Sequence, residues 1–367
     1  EMNIGENLKF FHITAGLACV LVIFFFPKNN KIQRITYGLT IIALFSSFIS
    51  PYTGALTRAV SMAIVLIGCS GISYITSSKL IKWTNYIIPI AIIALYQHLI
   101  ASFAVYRYTG FYNDPNYLCT TLLVFEFVIL EYFLKTKSAI IKFFLIAEIL
   151  LILILAIATL SRTGIVCLLI ILVAYFWEII RRYKTLAIIG LCFGFIYIVY
   201  DTPEMVSNAI ESFNSREDEH GNFSRASNLR LQIAMKGVNY VINHPWYWLQ
   251  GIGLGSTGHL DCFEDYAGEN HLLDHNTITS TFSETGMVGF ILMISLLFMI
   301  AKRTFKKNNI NSSDDRLLRI IGYCSLIIFC LSINQLTYLP FWWMMYLLNN
   351  ISLKNENTAY NRLRPGW

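Results

Sequence analysis

Residues 116–134 read NYLCTTLLVFEFVILEYFL and residues 139–160 read AIIKFFLIAEILLILILAIATL, with only Lys135-Thr136-Lys137-Ser138 between them. Each run has the roughly 20 mainly apolar residues that an α-helix needs to cross the hydrocarbon core of a bilayer. Two such runs joined by a short lysine-bearing turn predict a pair of membrane-spanning helices. The same pattern extends in both directions, with spans expected near 8–26, 35–50, 54–75, 83–105, 163–180, 184–200, 286–301, 318–334 and 338–353, about eleven in all. The expected fold is therefore an all-α polytopic membrane protein.

Composition agrees. Of 367 residues, 56% are apolar and only 14% are charged, with a mean hydropathy of +0.55, against about 25% charged in ordinary soluble domains. A cytosolic enzyme, a DNA-binding module and a secreted disulfide scaffold are excluded. The net charge of +6 acquires meaning only when each charge is assigned to a side of the membrane, and it implies no nucleic-acid partner. One set of connections holds Lys28, Lys31 and Arg34; Lys79 and Lys82; Lys135, Lys137 and Lys142; Arg181, Arg182 and Lys184; Lys302, Arg303, Lys306, Lys307, Arg316 and Arg319; and Lys354, Arg362 and Arg364. Cytoplasmic loops carry the Lys/Arg excess, so this set is expected inside, with the C-terminus inside, the N-terminus outside and the first span retained.

The opposite face collects Arg107, Arg162 and one long segment, 201–285, with twelve acidic and four basic residues. The expected organisation is then 1–200 with transmembrane helices 1–8, 201–285 as a large outer loop, 286–353 with helices 9–11, and 354–367 as a cytoplasmic tail. Inside the loop, Ser227–Asn243 has helical periodicity that sets Leu231, Ala234, Met235, Val238, Val241 and Ile242 on one face. Of eight cysteines, Cys262 alone lies in this loop, so no disulfide is expected within it.

Chemistry is sought on the outer face. Arg162, in Leu160-Ser161-Arg162-Thr163-Gly164, sits in a tight turn between spans. Arg225 and Arg230 open the loop helix, where a cation opposes the helix dipole unless an anion is present, and planar guanidinium groups suit phosphate oxygens. Pairing with nearby Asp and Glu or with lipid headgroups is the plainer alternative. His244-Pro245-Trp246-Tyr247-Trp248 is followed by Gly251-Ile252-Gly253-Leu254-Gly255. No strand precedes these glycines, which excludes a nucleotide-binding fingerprint and favours close backbone packing on the membrane surface as their purpose, with the aromatics as interfacial anchors and sugar stacking as the alternative. His275, just before the chain re-enters the bilayer, carries an imidazole, the side chain type that suits a general base near neutral pH. Acidic clusters at 217–220 and 261–269 match no known metal-ligand spacing and read as solvated turns. Mid-span Glu126 and Glu148 are the features that favour a transporter.

In order along the chain stand Gly110-Phe111-Tyr112-Asn113-Asp114-Pro115-Asn116, Ser161-Arg162-Thr163-Gly164, Arg230, His244-Pro245 with the alternating glycines, and His275-Asn276 followed by Glu284-Thr285-Gly286. With this set the chain resembles the bacterial O-antigen polymerase and O-antigen ligase superfamily over roughly 110–290. The resemblance implies a GT-C-like, metal-independent glycosyltransferase of the inner membrane. It acts at the periplasmic face on an undecaprenyl-diphosphate-linked oligosaccharide, with no cofactor and with the loop 201–285 periplasmic. It further implies that Arg162, Arg230 and Arg225 hold the diphosphate, that His275 accepts or orients the proton of the attacking hydroxyl, and that Asn116, Asp114, Asn276 and Glu284 bind substrate. A polymerase is expected, with a ligase and then a flippase or proton-coupled transporter as alternatives. A chain-length regulator is a further candidate partner, besides the lipid bilayer itself.

Overall fold

The computed structural model describes residues 31–74, 77–101, 108–112, 114–176, 223–264, 275–306 and 313–350. The helices are α1 (Lys31–Phe48), α2 (Gly54–Ser70), α3 (Ser77–Ala101), α4 (Pro115–Lys135), α5 (Ala139–Ala158), α6 (Arg162–Tyr175), α7 (Phe223–Asn243), α8 (Tyr247–Gln250), α9 (Thr277–Phe305), α10 (Ser313–Ser332) and α11 (339–350). No strand occurs among the described residues. Lys79–Ala101, Pro115–Lys135, Ala139–Ala158 and Thr277–Phe305 are long and apolar enough to cross a membrane, and Gly54–Ser70 and Arg162–Tyr175 are shorter apolar helices. The spans expected at 8–26 and 184–200 lie outside the described residues.

Local chemistry sets several helix starts. Asp114 caps α4 by accepting from the Asn116 amide, with Pro115 at the first helical position. Ser138 caps α5, Ser161 caps α6, and Asn276 caps α9. Each cap satisfies one or two of the orphan amides of a first helical turn, and a good cap contributes about 1 kcal/mol.

The chain forms two compact units. The first comprises Glu1–Lys79, Leu229–Ile310 and Leu326–Trp367; the second comprises Leu80–Asn228 and Asn311–Ser325. In the first unit α1 and α9 run antiparallel. Gly38 faces Leu292, Ile42 faces Gly289, and the Ser46 hydroxyl reaches the Glu284 carbonyl. Small residues at such contacts let membrane helices approach closely. The pairing also puts Lys31 and Arg34 at the same end as Lys302 and Arg303, in keeping with the charge reading of one face. Several polar side chains inside these helices are internally satisfied: Thr36 and Thr40 donate to carbonyls four residues back, Thr36 also bonds Tyr346 of α11, and Arg303 donates to Asn349 at 2.6 Å.

Two expectations shift. Helix α9 begins at Thr277, nine residues before the expected span at 286, and is broken inside at Gly286 (φ 68°, ψ −173°). On α7 the buried stripe is Ile233, Ala234, Gly237, Tyr240 and Val241, while Met235 and Ile242 face outward. Apolar residues occur on both faces of α7, and Gly237 decides between them: a Cβ there would overlap the Thr257 methyl and crowd Ser283, so this is the face on which the helix can be approached.

Candidate functional site

In the first unit the site is built around the break in α9. A backbone at φ 68°, ψ −173° is accessible essentially to glycine alone, so Gly286 makes the break possible. On the turn before it, the Ser283 and Glu284 carbonyls are taken by a different segment. The Ile252 amide donates to Ser283 at 3.0 Å and the Gly253 amide to Glu284 at 2.9 Å, and the Ser46 hydroxyl adds a third bond at 2.6 Å. Gly251 (φ 74°, ψ −178°) crosses the break so closely that a Cβ would overlap the Glu284 carbonyl, and a Cβ on Gly286 would overlap the Leu249 carbonyl. The alternating glycines thus serve close backbone packing, as expected, and the surface they pack on is the kinked helix.

This arrangement fixes the candidate residues. Glu284 is buried, and its Oε1 accepts from the Thr257 hydroxyl at 2.7 Å. Asn276 is committed to capping, its Oδ1 accepting from the Ile278 and Thr279 amides at 2.8 and 3.3 Å. His275 stands half-buried just before that cap. The Thr277 hydroxyl ties this entry point to the turn after α10, donating to the Ile333 carbonyl and accepting from the Gln335 amide. Outside the kink lies a small apolar core of Tyr240, Val241, Ile252, Leu260 and Phe263, onto which Tyr247 and Phe282 pack. Of the aromatic anchors, Tyr247 turns into this core, whereas Trp246 and Trp248 stay outward at 81% and 49% exposure.

Residues that the sequence reading passed over lie alongside. Ser47 accepts from the Leu254 amide at 3.0 Å, Ser50 and Ser256 share a bond of 2.9 Å, and Tyr52 stacks on His259 with centroids 4.2 Å apart. Arg58 lies over the Tyr52 ring at 5.9 Å. The available signal was Arg58 itself, a cation one turn inside the span read over 54–75.

The second unit joins two of the sequence motifs. Asn116, nearly buried, accepts from the Ser161 hydroxyl at 2.6 Å, while the Ser161 oxygen accepts from the Gly164 amide to cap α6. Gly164 lies against Cys119, where a Cβ would overlap, so α4 and α6 are in close contact. Arg162 is the first residue of α6 and half-buried, next to Leu160, which holds a left-handed φ of 52°. The preceding loop is pinned by Tyr108, whose hydroxyl donates to Leu95 at 2.5 Å and whose amide donates to Ala158; burial pushes this phenol up to about 12.

Arg225 and Arg230 fall on the first turns of α7 by their backbone, and their side chains lie outside the described residues. So do Asp265, Glu269 and the acidic run 217–220. Asp261 and Glu264 are exposed, and no group of three or more His, Cys, Asp or Glu poised for a metal occurs among the described residues. Glu126 is fully buried, its carboxylate oxygens without a hydrogen-bond partner among the described residues. The exposed Cys262 thiol is raised by desolvation and by the Asp261 charge.

Helices of membrane-spanning length, joined on one side by a glycine-rich segment that clamps a kinked helix, define a multi-pass membrane protein. A family model described as O-antigen ligase matches residues 147–294, less than half of the chain. The match supports membership of the O-antigen ligase and polymerase superfamily. It spans Arg162, Arg225, Arg230, His275, Asn276 and Glu284, and it ends nine residues beyond Thr285. No curated protein matches the chain.

Proposed function

We propose that this protein is an O-antigen polymerase, a glycosyltransferase that moves a glycan from an undecaprenyl diphosphate onto another lipid-linked repeat unit at the periplasmic face of the inner membrane. The single observation that carries the glycosyltransferase reading, for polymerase and ligase alike, is the family match over 147–294. At that face no nucleotide sugar is available, so the donor is activated by its lipid diphosphate, and the departing pyrophosphate needs positive charge. Arg162, Arg225 and Arg230 supply it. His275 accepts or orients the proton of the attacking hydroxyl. Glu284, Asn276, Asn116 and Asp114 hold the backbone around these groups, through the bonds described above, as well as serving the substrate side. About eleven spans in a GT-C-like arrangement, with the loop 201–285 in the periplasm, complete the proposal; a chain-length regulator fits a polymerase as a partner.

The description of the matching family is O-antigen ligase, and this favours a second reading in which the acceptor is lipid A-core. The two share a donor and differ in acceptor. The acidic loop inclines the choice to the polymerase, because a core acceptor carries phosphates of its own. Buried Glu126 is what speaks for a transporter. The test is complementation of polymerase-null and ligase-null strains of the native host with wild type and His275→Ala, read on lipopolysaccharide ladders. A ladder restored in the polymerase-null strain and lost with His275→Ala supports the polymerase; rescue of the ligase-null strain alone moves the acceptor to lipid A-core; rescue of neither, with Glu126→Gln abolishing export, supports a transporter.

A further inference from the structure

The first unit carries a cation that enters the contacts above only through an aromatic ring. Arg58, half-buried in the second turn of α2, makes no hydrogen bond or ion pair among the described residues. Its guanidinium lies 5.9 Å from the Tyr52 ring centre. That ring in turn stacks nearly parallel on His259, 13° between planes.

The guanidinium also backs onto Gly255, at φ 77°. A Cβ there would overlap Nη1, Cδ and Cζ of Arg58, so glycine is what opens the recess. The neighbouring amides are used, Leu254 by Ser47 and Ser256 by the Gly253 carbonyl, whereas the Gly255 amide has no partner among the described residues.

For folding alone this arrangement is unfavourable. An arginine near the end of a membrane helix reaches the interface, where lipid headgroups lie, but a cation near a helix N-terminus still opposes the dipole, at a cost. The Tyr52 ring recovers only part of that cost. A guanidinium with free donors, an unused amide and a stacked aromatic wall share the chemistry of a phosphate site, because the planar fork matches two phosphate oxygens at once. Arg58 also stands at the end of the unit opposite Lys31, Arg34, Lys302 and Arg303, the end that holds Glu284 and the glycine clamp.

We propose that Arg58, Tyr52, His259 and the Gly255 amide form a subsite for a phosphate group borne by a membrane lipid. On the polymerase or ligase reading, on which this source rests, the lipid is the polyprenyl diphosphate of the donor. The other source of the same chemistry is the headgroup of an ordinary phospholipid.

The experiment is native mass spectrometry of the full-length protein released from detergent, titrated with undecaprenyl diphosphate in one arm and phosphatidylglycerol in the other. Arg58→Gln lowers affinity for undecaprenyl diphosphate about tenfold, Arg58→Lys lowers it less, and phosphatidylglycerol binding is unchanged. Loss confined to the phosphatidylglycerol arm keeps the subsite and assigns it to a headgroup. Equal affinity of wild type and both variants in both arms overturns the proposal. If Arg58→Gln is not monodisperse, Arg58→Lys and Tyr52→Leu carry the comparison. Wild type that fails to bind undecaprenyl diphosphate, with Arg58 still governing phosphatidylglycerol, would remove the glycosyltransferase reading and leave the subsite standing.

Discussion

Replacing Gly251 by alanine tests the glycine clamp directly. The residue sits at φ 74°, ψ −178° with the Glu284 carbonyl where a Cβ would go. Holding an L-residue in that conformation costs about 1–3 kcal/mol. If the segment moves away to relieve the overlap, the Ile252 and Gly253 amides leave the Ser283 and Glu284 carbonyls, and each buried group stranded without a partner costs about 1–3 kcal/mol more. The loss is therefore at least about 1–3 kcal/mol, and larger where those bonds break. Gly38→Ala is the matched control. It makes the same chemical change on α1, in helical backbone, with the new Cβ 3.4 Å from Leu292, and it gains up to about 1 kcal/mol from helix propensity. Thermal unfolding of the purified protein in detergent should show Gly251→Ala and Gly286→Ala melting well below wild type and Gly38→Ala at or above it. Equal melting of Gly251→Ala and Gly38→Ala would refute the clamp.

Further outcomes follow from the same contacts. Thr257→Val removes the donor to buried Glu284 while keeping shape; it should cost about 1.5–3 kcal/mol in denaturation and reduce glycan product as Glu284 loses its position. His275→Ala should lower the rate of glycan transfer by about 10²–10⁴-fold with little change in melting temperature, and unaltered turnover in a reconstituted assay would remove His275 from the chemistry. Ser161→Ala deletes both the cap of α6 and the bond to Asn116, and should destabilise by about 1 kcal/mol or more, with Asn116→Ala adding less on top of it than it costs alone. Alkylation of Cys262 by iodoacetamide, followed peptide by peptide, should run below the rate of a free cysteine near neutral pH and climb as pH rises towards its elevated pKa; a rate equal to that of free cysteine at neutral pH would contradict the raised thiol.

The sequence by itself determined that helices cross a membrane and where several of them begin. Both are local properties. A run such as 139–160 needs no partner to be apolar over the required length, and Asp114, Ser138 and Ser161 cap their helices through bonds within three residues. The order of motifs was equally visible, and so was the purpose of alternating glycines. Which face of a membrane helix meets protein was hidden, because lipid and protein interiors are both apolar. On α3, Ile88 and Ile92 are buried while Ile87, Ile90 and Ile93 are exposed, and nothing in residue type separates them. For the same reason the buried stripe of α7 turned on Gly237 rather than on its apolar periodicity. The tertiary structure alone decided that Gly251 and Gly253 meet the break at Gly286, that Thr257 holds Glu284, and that Arg58 reaches Gly255. These contacts join residues 27 to 197 positions apart, and backbone crossings at that separation are set by how helices close on one another, which no local pattern records.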